Sequence, residues 1–170
     1  APLGAAYLDR YAAERRRLAT GAAGFESEWR RDGAETFRAA GFPTLKSEAW
    51  RFTPLHTLIN GDFSVDAPAA PFDAARLKGV LFGREAENRI VFVNGRLRDD
   101  LSSLRHMSPG IELLSLAEAL KSRPQMVEPY LGRAPGLAKH PFAALNAAFA
   151  ADGYVLHIAP DTRAESPIEI

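Results

Sequence analysis

The sequence predicts an α+β fold: a helical region over residues 1–60, a linker, β-hairpin and short helix over residues 61–139, and a helix leading into strands over residues 140–170. Three observations carry this. Apolar residues recur at helical spacing from Leu3 to Phe37. Arg89-Ile90-Val91-Phe92-Val93 and Arg96-Leu97-Arg98 flank Asn94-Gly95, a dipeptide that tolerates the positive φ of a type I′ turn. The last two strands, 154–158 and 166–170, have the length and separation of consecutive rungs of a β-helix.

Composition narrows the function classes. The chain has 170 residues, 46% hydrophobic and 25% charged, which suits one globular domain or part of a larger one. Its formal net charge is zero, so no global basic field points to nucleic acid or an anionic membrane. The run Arg15-Arg16-Arg17 reads as a solvated helix face. There is no cysteine, which excludes disulfides, cysteine nucleophiles and thiolate ligation of zinc or iron–sulfur clusters by these residues. That composition suits a reducing compartment, and the expected location is cytoplasmic. No stretch is apolar for long enough to span a bilayer.

In chain order, Tyr7, Leu8, Tyr11 and Leu18 predict an amphipathic helix over residues 3–18, broken by Gly21 and Gly24. A second helix places Phe25, Trp29, Gly33 and Phe37 at four-residue steps on one face, a pattern of core packing. Gly33 on that face reads as a weak point costing about 1 kcal/mol relative to alanine, or as a place of close approach; the first reading is preferred. Gly41 stops the helix and Pro43 prevents its continuation. Residues 60–72 are loop-like, with Pro68 and Pro71 as breakers, and residues 72–80 read equally as short helix or loop. Residues 111–116 predict a strand, Ser115 a cap for a helix over 116–120, and Pro124 its end. Residues 129–139 read as loop. His140-Pro141 opens a helix over 142–151 with Phe142, Leu145, Asn146 and Phe149 on one face. The terminal strand at 166–170 has an apolar alternating face that needs neighbours. The expectation is that these residues are the front part of a longer architecture.

Signatures of catalysis are missing: there is no glycine-rich phosphate loop, no paired histidines on a helix and no nucleophile elbow. His56, His106, His140 and His157 lie far apart, and His157 is expected to face solvent or a neighbouring chain. Asp99-Asp100 point in different directions on an extended chain and make a poor acid–base pair.

The densest punctuation lies in residues 42–58, FPTLKSEAWRFTPLHTL. Thr53-Pro54 predicts a helix start, with Leu55 and Leu58 on its inner face. Lys46, Glu48 and Arg51 can form local ion pairs. Trp50 and Phe52 are expected to anchor the segment to the domain body. The residues Pro43, Thr44, Glu48, Trp50, Arg51, Phe52, Thr53 and Leu55 resemble the P-T-x-x-x-E-x-W-[RK]-[YF]-T-x-L signature of the SufB/SufD family, scaffold proteins of iron–sulfur cluster assembly. Ile90 to Arg96 resembles the family's VFV(D/N)G turn, and Phe142 to Phe149 with Asp152-Gly153 its ALNTAF…DG helix. Leu156-His157-Ile158-Ala159-Pro160 and Pro167-Ile168-Glu169-Ile170 resemble the place where its β-helix begins. The arrangement of the N-terminal helices resembles SufD more than SufB.

The resemblance implies the first rungs of a right-handed parallel β-helix over residues 140–170. It implies no catalytic, cofactor-binding or metal-binding residue in this segment, and no enzyme activity. Clusters and ATP would be handled by the whole complex, ATP on SufC. SufB-like and SufC-like partners would engage the family's distal part, with no nucleic acid and no membrane. Self-association through the exposed terminal strand is a further expectation. Two other readings stand beside it. One is a carbohydrate-active β-helix protein, which needs clustered acids on successive rungs. The other is a helical adaptor binding through Phe25, Trp29 and Phe37.

Overall fold

The computed structural model describes residues 4–18, 24–63, 72–81, 88–104, 107–133 and 140–170. The expected breakers Gly21, Pro68 and Pro71 and the side chain of His106 lie outside the described residues. The fold is α+β, with several short sheets, and divides into two units. One comprises residues 1–65 and 120–150, the other residues 66–119 and 151–170.

The first unit is helical. Its elements are α1 (Ala5–Leu18), α2 (Gly24–Ala40), α3 (His56–Asn60) and the later helix Pro141–Phe149, with 3₁₀ turns at Glu48–Trp50 and Pro124–Met126. Gly24, expected to interrupt, is instead the first residue of α2. Gly41 closes that helix, its amide donating to the Phe37 carbonyl at 2.7 Å. Where the sequence passes from one unit to the other, α4 (Leu116–Ser122) begins under a cap: the Glu118 amide donates to Ser115 Oγ at 3.0 Å, as expected. The helix Pro141–Phe149 is then α5, and it packs chiefly on α2.

That contact corrects the preferred reading of Gly33. A Cβ there would lie 2.7 Å from the Ala144 carbonyl oxygen and 2.8 Å from the Ala147 methyl. Glycine is therefore required for the backbones to approach, and the alanines of α5 supply the matching low surface. The core beside it gathers Phe37, Phe42 and Ala144, with Tyr7, Leu8, Leu58 and Phe142 packed around them. Tyr7 also donates from its hydroxyl to the Leu58 carbonyl at 2.6 Å, tying α1 to α3.

The second unit is built from short strands. The strand expected over residues 89–93 is split into β1 (Asn88–Arg89) and β2 (Phe92–Val93), which belong to different sheets. Between them, Val91 is buried with Leu77 and Leu101, its amide donating to Ser102 Oγ at 3.0 Å. The β2 strand pairs with β3 (Arg96–Leu97) across Asn94-Gly95, whose φ values of 52° and 75° are those of the expected turn. The ambiguous stretch before them forms a 3₁₀ helix, Ala74–Gly79, with Asp73 accepting from the Ala75 amide.

The remaining strands overturn the expected stacking of rungs. β5 (Ile111–Ser115) pairs antiparallel with β6 (Tyr154–Ile158), from Ile111 opposite Ile158 to Ser115 opposite Tyr154. β7 (Ile168–Glu169) lies parallel to β1, whose other neighbour is antiparallel β4 (Ser103–Leu104). The two last strands thus pair with different partners earlier in the chain, and no right-handed parallel β-helix is formed among the described residues. Each finds its backbone partner far earlier in the chain, which is tolerable because loop-closure cost grows only slowly with length, and alternation along a strand does not specify which partner. Asp152 secures the start of β6: one carboxylate oxygen accepts from the Leu97 amide at 3.0 Å and the other from the Gly153 amide at 2.8 Å.

Candidate functional site

The band of residues 42–58 is anchored at its two ends and once between. Phe42 is buried and meets Phe37 and Tyr7 edge-on, with ring centroids 5.0 and 5.2 Å away. Half-buried Pro43 leads the chain outward. The 3₁₀ turns then run through bonds from Ser47 to Thr44, Trp50 to Ser47 and Thr53 to Trp50. Trp50 folds back onto Phe142, centroids 5.0 Å apart, and onto His140 at 6.2 Å. Leu58 and Ile59 return the chain to the core.

Two expectations about this band fail. Phe52 is not an anchor: it is 83% exposed, and the Arg51 guanidinium lies over its ring at 4.7 Å. Alternation of aromatic with charged residues suited a strand, whereas the backbone here turns, so Trp50 and Phe52 do not share a face. Nor do Thr53-Pro54 start a helix. The residue before α3 is Leu55, with no side-chain cap, and the Thr53 amide closes the preceding turn onto Trp50.

Of the signature residues, Pro43, Trp50 and Leu55 are half-buried, while Thr44, Glu48, Arg51, Phe52 and Thr53 are exposed. Among the described residues, no ion pair joins Lys46, Glu48 and Arg51. The band is thus a surface feature pinned at Phe42, Trp50 and Leu58 with Ile59.

The other groups singled out in the sequence stay apart. His56, His140 and His157 are exposed, the last as expected. Among the described residues, no three metal-capable side chains come together. Asp100 does not pair with Asp99. It takes two hydrogen bonds of 2.7 Å from Arg98, which hold its carboxyl below the usual carboxylate range. Along the α2 stripe, Phe37 and Gly33 are buried, while Phe25 and Trp29 are half-buried.

Two features escaped the sequence reading. The first is a fully buried ion pair, Glu26 with Arg30, 0% and 2% exposed. Arg30 also donates to the carbonyl of Ala150 at the end of α5, where a cation favours the helix dipole. Spacing at i and i+4 signals the pair, but nothing local signals its burial. The second is an open cleft of about 370 Å³ between α1 and α5. Its walls are Tyr7, Phe142, Leu145 and Phe149, and Arg10 and Asn146 are its polar groups. Burial pushes the Tyr7 phenol above its ordinary pKa, with Arg10 opposing.

The chain is of the α+β class, and comparison with known proteins places it in a family. The family model for the SufBD protein N-terminal region matches residues 3–170, and the chain belongs to that family. A relative, described as an iron–sulfur cluster assembly SufBD family protein of Synechocystis sp., is 27% identical over 141 residues. The match covers 83% of this chain and 31% of the relative, so the chain spans about a third of that protein's length. Among the described residues, no helix is long and apolar enough to cross a membrane.

Proposed function

We infer that this chain is the N-terminal region of a SufD-like scaffold subunit acting in iron–sulfur cluster assembly with SufB-like and SufC-like proteins. The observation that carries the reading is the family match over residues 3–170, joined to the iron–sulfur cluster assembly role in the relative's description. The SufD assignment is supported by the two N-terminal helices leading directly into the signature band at Pro43.

In this reading the segment is non-enzymatic and cytoplasmic, and it binds no resident cofactor. Clusters are cargo of the whole complex, and ATP is turned over on the SufC-like partner. The right-handed parallel β-helix of the family follows the strands described here, and the partners engage that later part. The helical unit supplies a rigid platform: its signature residues hold their own backbone rather than converge on a reacting atom.

Co-purification tests this. The full-length protein is expected to retain a SufC-like ATPase through affinity and size-exclusion steps, and residues 1–170 are not. Tight binding of the ATPase by residues 1–170 alone would count against the assignment of partner contacts to the later part.

A further inference from the structure

We propose that the cleft between α1 and α5 is a docking site for an acidic–aromatic peptide segment of a partner protein. Arg10 is its carboxylate receptor, and this chain's own Asp62-Phe63 is the placeholder at rest.

The chemistry of the site is already displayed by that placeholder. Arg10 donates one guanidinium nitrogen to the Phe63 carbonyl and another to Asp62 Oδ1 at 2.6 Å. It therefore reads a carboxylate and the adjacent backbone together, a task suited to the planar fork of arginine. The Asp62 side chain is 95% exposed, so the pair is screened by water and easily displaced. Phe63 is 49% exposed at the cleft, and its ring rests on Gly61, where any Cβ would collide with it.

The rest of the cleft extends this recognition. Among the described residues, Arg10 is the one charged side chain lining it, so a negatively charged occupant is favoured. Tyr7, Phe142 and Phe149 offer ring faces and edges, and about 370 Å³ is at the small end for ligand clefts. Asn146 is the one polar residue of α5 and has no hydrogen-bond partner among the described residues. Its amide can donate to and accept from one peptide unit of an extended segment.

Saturation-transfer NMR on the intact protein tests this with the probe acetyl-Gly-Asp-Phe-Gly-amide. Saturable transfer to the probe's aromatic protons is expected, with little for the counterpart carrying lysine in place of aspartate. Removing the placeholder carboxylate by Asp62→Asn should tighten binding by about three- to five-fold. Arg10→Gln should weaken it at least about ten-fold. Asn146→Ala, at an exposed position, gives a weakening that does not depend on the fold tolerating the arginine change.

Equal transfer to the lysine peptide would overturn the proposal, as would unchanged affinity in both Asp62→Asn and Arg10→Gln. A dimer of the intact protein abolished by Phe63→Ser would also overturn it, because the occupant would then be a second copy of this chain.

Discussion

Arg30→Met is the most informative single change in the helical unit. It removes the ion-pair cation beside a carboxylate with no route to water: the Glu26 and Arg30 side chains are 1% and 3% exposed. Breaking a buried pair from one side strands a charge, at about 3–5 kcal/mol. The pair itself is not a large source of stability. Arg30 Nε is buried without a hydrogen-bond partner, a defect costing about 1–3 kcal/mol that offsets much of the Coulombic attraction. The double variant Glu26→Leu/Arg30→Met should therefore return close to the parent, or exceed it by about 1–2 kcal/mol. Urea unfolding followed by far-ultraviolet circular dichroism measures all three proteins. Trp29, with the Arg30 guanidinium 5.5 Å from its ring centre, gives a local fluorescence signal. The single variant should melt on the order of 10 °C lower. If the double variant is as unstable as the single, the loss comes from packing and the Ala150 contact, and the stranded-charge argument is wrong.

Three further outcomes are expected. Gly33→Ala should destabilise by about 1–2 kcal/mol despite alanine's better helix propensity, because overpacking against Ala144 and Ala147 outweighs that gain; the urea midpoint reads this directly. Trp50→Ala should cost about 2 kcal/mol, since the ring is half-buried on Phe142, whereas Phe52→Ala should change stability by less than about 0.5 kcal/mol. Equal losses at the two positions in a thermal melt would contradict the exposed placement of Phe52. Tyr7 sets an alkaline limit: burial raises its folded pKa above the ordinary 10.0, so its stabilisation is complete below pH 10 and lost as pH rises through the raised value. Midpoints measured at pH 8 and at about pH 11 should fall more steeply in the parent than in Tyr7→Phe, which loses about 1 kcal/mol at pH 8 with the Leu58 hydrogen bond.

What the sequence conveyed was local. Helical periodicity found α1, α2 and α5, Ser115 marked the start of α4, and Asn94-Gly95 marked the hairpin, because each depends on residues within a turn or two. The failures are non-local. Alternation identified β6 and β7 as strands but could not say that β6 would pair with Ile111–Ser115 or β7 with Asn88–Arg89. Glu26 and Arg30 escaped notice because only the arrival of α5 makes them interior. Phe52 was misplaced for a related reason: size and hydrophobicity argue for burial, while the 3₁₀ turn at Glu48–Trp50 decides which aromatic faces the core. The family motifs were legible throughout, since recognition needs only order and spacing.

The fit of Gly33 against Ala144 has a consequence for synthesis. The two residues are roughly 110 positions apart, and a contact closing so long a loop forms late. As the chain leaves the ribosome, the face of α2 around Gly33 must wait uncovered while residues 66–119 emerge, and only then can α5 dock. Among the described residues, the first 60 supply Phe42 against Phe37 but nothing against Gly33, so the nascent protein depends during that interval on whatever shields that face. Slowing translation just before residue 140 would lengthen the exposure, and bringing α5 out sooner would shorten it.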